Sequence, residues 1–163
     1  MNPSSQLRLS TMMRAMTDII LPAIPASESM AQEQSQLLIG HIAALMAQDG
    51  RERELVDYNA RHLMACATRL LALAESESES LSDEKLIDLR AAVTANDTAK
   101  VAFALERLMA QCDVSDGFKR ESSVLLMQYA RQHSVAGRSW FSPMGFDSKP
   151  SELVDVANLL AAS

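Results

Sequence analysis

Apolar side chains recur along most of this chain at steps of three and four residues, the repeat that lines one face of a helix. A first segment, from about Ser5 to Leu21, sets Leu9, Met13, Met16 and Ile20 on one face. It is expected to end at Pro22, because the Pro22-Ala23-Ile24-Pro25 link lacks amide donors at both rings and biases the residue before each toward extended backbone. A second segment, Ser29 to about Gln48, opens with Ser29 and Gln32 spaced as a capping box and closes at Asp49-Gly50. Its predicted buried stripe is Met30, Gln34, Leu38, His41 or Ile42, and Leu45, with Ala43, Ala44 and Ala47 letting a neighbour come close.

The third segment, Arg51 to about Ala74, is the longest, with Leu55, Tyr58, His62, Cys66, Arg69 or Leu70, and Leu73 inward. The acidic repeat Glu75-Ser76-Glu77-Ser78-Glu79-Ser80 has nothing to bury, so a solvated loop is expected over 75–82. Asp83 to Thr94 turns Leu86, Leu89 and Val93 inward, and Thr98 to Cys112, capped by Asn96 or Asp97, turns in Val101, Leu105, Leu108 and Cys112. A sixth segment follows Asp116-Gly117 to about His133, with Phe118, Leu125 and Tyr129 on one side. Over 134–149 the periodicity fails, and Gly137, Pro143 and Gly145 predict an irregular aromatic loop holding Trp140, Phe141 and Phe146. Ser151 to Ala161 is read as a last helix, with Leu153, Val156 and Leu160 as its apolar edge.

Helical stripes joined by short links bury themselves only against each other. The predicted fold over 1–163 is therefore all-α, a single-domain helical bundle of six to seven helices, long ones up and down and short ones crossing. Hairpins are expected between the second and third segments and between the fifth and sixth.

The composition agrees: 163 residues with 48% apolar and 22% charged side chains suit one ordinary domain with a core. Five glycines, five prolines and 4% aromatic residues argue against a turn-rich sandwich or barrel. A net charge of −6 repels a phosphate backbone, so no nucleic-acid partner is expected. Cys66 and Cys112 lie within helical patterns, which suits reduced thiols and a cytoplasmic location. Arg8 and Arg14 precede the first acid, Asp18, but no apolar run there resembles a secretory segment, and no targeting signal is expected. Nor is a membrane span, since no run approaches about 18 apolar residues.

Candidate chemistry is sparse. His41, His62 and Cys66 are the nearest approach to a metal set, since residues four apart project together and imidazole with thiolate suits zinc; Glu33 or Asp57 would have to complete it. A small buried thiol and ordinary core or boundary histidines account for the same residues. Gly137-Arg138-Ser139-Trp140 lacks the second glycine and the preceding strand of a nucleophile turn. Cys66 has His62 one turn away, but a helix interior raises a thiol pKa and hides it. Five isolated glycines form no phosphate loop, so no cofactor is expected.

Two features point instead to contacts. Met12, Met13 and Met16, with Ile19, Ile20 and Leu21, make the first helix apolar over a wide arc, fit for its own core or for a second subunit. The aromatic segment with Trp140, Phe141 and Phe146 is flanked by His133, Arg138 and Lys149, and residues 116–149 carry five Lys and Arg against three Asp and Glu. It reads either as a latch on the bundle's end or as a site for an acidic partner or anionic ligand. The expected function is non-enzymatic: protein–protein contact as a homodimer or accessory subunit. The alternatives are a binder of an apolar or acyl-type small molecule, oriented by Arg138, His133 or Lys149, and a metal-dependent enzyme using His41, His62 and Cys66.

The run Asp18-Ile19-Ile20-Leu21-Pro22-Ala23-Ile24, closing one helix just before a second that carries Leu38, Ile42 and Leu45, resembles small helical bacterial proteins of unknown function. Those are similar to proteins encoded beside acyl-CoA dehydrogenases and aminoglycoside-phosphotransferase-like enzymes. The resemblance covers about the first third of the chain and brings no catalytic residue with it.

Overall fold

The computed structural model describes residues 2–76, 83–110 and 114–161, and among them there is helix and no strand. The fold is all-α, as the apolar spacing predicts. In order the elements are α1 (Ser5–Ala15), a π turn (Met16–Ile20), α2 (Leu21–Ala23), α3 (Ser29–Gln48), α4 (Glu52–Ser76), α5 (Asp83–Thr94), α6 (Thr98–Met109), α7 (Asp116–Phe141), two 3-10 turns (Ser142–Met144 and Pro150–Glu152) and α8 (Val156–Ala161). The acidic stretch expected as a loop begins within α4, at Glu75 and Ser76; the rest of it lies outside the described residues, as does Cys112.

Contacts within the chain gather into two compact units. One unit comprises the chain up to Leu55 together with that from Val135 onward; the other is Val56–Ser134. Both α4 and α7 run from one unit into the other. Periodicity reports which residues turn inward, not which stripes pair, so this division leaves no mark in the pattern.

The central unit, Val56–Ser134, follows the predicted stripes closely. Cys66, Ala67, Leu70, Leu71 and Ala74 of α4 meet Leu86, Leu89 and Ala92 of α5, Val101, Ala104, Leu105 and Leu108 of α6, and Phe118 of α7 in one core. Where the sequence left Arg69 or Leu70 open, Leu70 is buried and Arg69 exposed. The α5–α6 connection turns at Asn96, whose φ of 52° lies in the left-handed region that asparagine tolerates. Asp97 then caps α6, accepting a hydrogen bond from the Lys100 amide at 3.1 Å, and that bond lowers its carboxyl pKa. Arg107 bridges from α6 to Asp88 of α5 at 2.7 Å.

In the other unit the expected stripes hold in part. Pro22 does not end the first helical segment. Its ring would crowd the carbonyl four residues back, and the backbone widens just ahead of it, so that the Leu21 amide reaches Met16 O five residues back. This π turn inserts one position into the repeat. Met16 is buried as predicted, but Ile20 turns outward and Leu21 takes the half-buried position.

The capping box expected at Ser29 is not formed: Glu28 stands at the cap, and Gln32 Nε2 donates to Ile24 O at 3.2 Å. On α3, Ile42 of the predicted stripe is buried, and so is Ala44, expected at a close contact; Gly40 and Gln48 are buried beside them, while Met30, Gln34, Leu38, His41 and Leu45 are exposed. Against Gly40 the Ser142–Met144 turn packs so closely that a Cβ there would lie 2.8 Å from Met144 O. Beside it, Gln48 Nε2 donates to Trp140 O at 2.8 Å.

The aromatic loop expected over 134–149 is helix for its first half, because α7 continues to Phe141. Gly137 sits in that helix with open space around it, while Ala136, Ser139 and Trp140 are buried and hold the last turns in place. Gly145, at φ 83°, takes the left-handed conformation that returns its amide to Ser142 O at 3.0 Å. The last helix is shorter than predicted, starting at Val156 after the turn at Pro150, and it buries Val156, Leu159 and Leu160.

Candidate functional site

The clearest unfilled surface lies on α1 and α3. No residue of α1 is buried, although it packs along α3, where Gln6 Nε2 donates to Met46 O at 2.8 Å. Leu9 and Met13 are half-buried and Met16 is buried, so the predicted methionine cluster divides: Met12 stays outside at 48% exposure. Met12 and Leu45, itself 52% exposed, line an open groove of about 260 Å³ with Leu9, Arg8, Asp49 and Glu52. Leu38 lies seven residues before Leu45, on the same face of α3. On the other flank, Leu7 of α1 and Ile19 of the π turn are exposed.

Helix α3 shows why such a surface arises. Its 20 residues include one carboxylate, Glu33, and no lysine or arginine. From Leu37 to Ala47 it is apolar nearly all round, and the elements packed against it, α1, α8 and the Ser142–Met144 turn among them, cover only part of that surface. Sequence reasoning placed Leu38 and Leu45 in the core and so missed their exposure. The available signal was the width of the apolar arc, too broad for a single buried stripe.

The aromatic and cationic candidates are built differently from the expectation. Trp140 is 8% exposed and packed, whereas Phe141 and Phe146 remain in the open. Arg138 is held by a two-pronged bridge to Asp147, with Nε–Oδ2 at 2.9 Å and Nη2–Oδ1 at 2.8 Å. Its guanidinium, together with the Lys149 amide, pulls the Asp147 carboxyl down to about 2. Lys149 Nζ pairs with Glu152 at 3.1 Å. These two cations are thus engaged by carboxylates of their own segment. His133, on α7 in the central unit, stacks on Tyr129 with ring centroids 5.9 Å apart.

Of the metal candidates, His62 and Cys66 stand one turn apart on α4 in the central unit, and His41 is an exposed residue of α3 in the other. His62 packs on Tyr58 at 4.3 Å between ring centroids. Burial raises the Cys66 thiol pKa against the opposing charge of Arg69, the opposite of what a thiolate ligand or nucleophile needs. Among the described residues no three His, Cys, Asp or Glu side chains gather where one ion would touch them all. Ser139 is fully buried, and its hydroxyl has no hydrogen-bond partner among the described residues.

No helix among the described residues is long and apolar enough to cross a membrane. Compared with models of protein families, with curated proteins and with solved structures, the chain matches none of them.

Proposed function

We propose that this protein acts through protein contact, by self-association on the α1–α3 face, and not by catalysis. The carrying observation is that Met12, Leu38 and Leu45 stand in the open on neighbouring helices that pack with each other. Exposed apolar side chains clustered in this way mark an interaction site. Charge favours a second copy as the occupant. Residues 2–52, which include the groove's Asp49 and Glu52, hold Arg8, Arg14 and Arg51 against Asp18, Glu28, Glu33, Asp49 and Glu52, a balance of −2 in a chain of −6. Two copies meeting here avoid most of their mutual repulsion, and the apolar, charge-poor character matches homodimer interfaces. At 20 residues, α3 is about 30 Å long, and paired with α1 it offers a footprint on the scale of an ordinary interface of about 800 Å² per partner.

Light scattering on the purified chain tests this. A mass of two chains at micromolar concentration is expected, falling to one chain in the double variant Met12→Lys, Leu45→Lys with the helical circular-dichroism signal retained. A monomer across the high micromolar range, or a dimer unaffected by the two lysines, contradicts the proposal.

A further inference from the structure

A second surface, in the central unit, has a different character. Between α4 and α7 runs an open groove of about 510 Å³ whose floor is Ala72, Leu73, Val124 and Leu125. Val124 and Met127 continue the apolar strip along α7, and Met127 is 70% exposed, an unusual position for so large an apolar side chain. The rim is basic. Arg69 from α4 and Arg120 from α7 border the groove, and Arg131 closes the strip three turns further along α7. Arg120, Val124, Met127 and Arg131 fall at steps of four, three and four, which places them on one face of α7.

The state of these arginines matters. In this unit Arg90 and Arg107 pair with Glu75, Asp88 and Glu84. Arg69 instead donates to the neutral Gln128 at 3.2 Å, and Arg120 and Arg131 are exposed with no carboxylate partner among the described residues. Glu121 is the one acid on the groove wall. An apolar strip bordered by three uncompensated guanidiniums, in a chain of net charge −6, is a local reversal of sign.

We infer that this groove is a docking site for an acidic amphipathic helix of a partner protein, its apolar stripe on Leu73, Val124 and Met127 and its carboxylates on Arg69, Arg120 and Arg131. The open, elongated form suits a helix laid lengthwise, with apolar anchors giving affinity and the flanking charges fixing orientation. Arg120 and Arg131 are about 16 Å apart along α7, so a partner helix of about 14 residues spans both. The inference is independent of self-association, since it uses another unit and other residues.

The test is a display selection on the full-length protein. The library consists of helical peptides of about 14 residues with leucine fixed on one face and Glu, Gln or Lys randomised on the flanks. Glutamate flanks are expected to dominate, and selected peptides are expected to bind the Arg120→Glu, Arg131→Glu variant at least about tenfold more weakly, with its melting temperature unchanged. Failure of any peptide to enrich, enrichment of neutral or lysine flanks, or equal binding to the variant overturns the inference. So does arginine-dependent binding to phosphatidylserine vesicles without peptide enrichment, which would assign the groove to a lipid surface. Loss of self-association in the arginine variant would assign it to a second copy, and is likewise contradictory.

Discussion

The two units differ in where they leave their leucines. In Val56–Ser134, leucines of α4, α5 and α6 meet Phe118 of α7 in one core, with Leu70, Leu89 and Leu108 fully covered. In the other unit the buried set mixes small and large side chains: Gly40, Ala44, Ala136, Ser139 and Gln48 with Met16, Ile42, Trp140, Val156, Leu159 and Leu160. Leu7, Met12, Leu38 and Leu45 are left at its surface. Leucines covered in a closed core are complete within one chain; leucines left outward on two packed helices are surface open to a partner.

The largest expected effect sharpens this contrast. Leu70→Ala or Leu89→Ala opens a cavity in a closed core and should cost about 2–5 kcal/mol in urea unfolding. Leu45→Ala should change the stability of the monomeric fold by no more than about 0.5 kcal/mol. Equal losses at Leu45 and Leu70 would show that α3 is buried like α4, and the contrast would fail.

Next in size are two glycines of the same unit. Gly40→Ala forces a Cβ against the Met144 carbonyl and should cost about 1–3 kcal/mol, since backbone must move. Gly137→Ala meets nothing and should stabilise α7 by about 0.5–1 kcal/mol. Thermal midpoints moving in the same direction for both would deny the close packing at Gly40.

The acid limb separates the units spectroscopically, because Trp140 is the one tryptophan and reports only the unit that holds it. The Asp147 pKa is depressed to about 2, so the stabilisation from its bridge to Arg138 is present above the ordinary carboxylate value of about 4 and lost as pH falls toward 2. Asp147→Asn should lower the melting temperature seen by Trp140 fluorescence at neutral pH and bring it level with the wild type near pH 2. A difference that persists unchanged at low pH would exclude the bridge as its origin.

The smallest effect concerns Ser139. Removing a buried hydroxyl without a partner relieves a desolvation cost, so Ser139→Ala should leave stability unchanged or raise it by up to about 1 kcal/mol in urea unfolding. A loss above that would reveal a hydrogen bond there.

The same contrast explains what could be read from the sequence. Helices α4, α5 and α6 were legible because Leu70, Leu86, Leu89, Leu105 and Leu108 are large, inward and evenly spaced. In the other unit three local events broke the phase. The π turn before Pro22 exchanged Ile20 for Leu21, the contact at Gly40 turned that side of α3 inward, and the burial of Ala136, Ser139 and Trp140 carried α7 through Gly137. The first follows from Pro22 itself, and the other two depend on neighbours far along the chain, which no local period encodes. Met12 was legible as an exposed candidate from the wide apolar arc of its helix. Leu38 and Leu45 were not, because a leucine at helical spacing reads as core until the opposing face is known. The Arg120–Arg131 strip was hidden in a helix whose other face was already accounted for by Phe118 and Tyr129.

Methionines supply a direct probe of self-association, since Met12 lies on the α1–α3 face and Met127, on the central unit, is at least as open. Hydroxyl-radical oxidation of the two, read by mass spectrometry at low and high protein concentration, tests the account's main statement. Met12 should become protected as concentration rises while Met127 stays equally reactive. A Met12 oxidised to the same extent at both concentrations would contradict it.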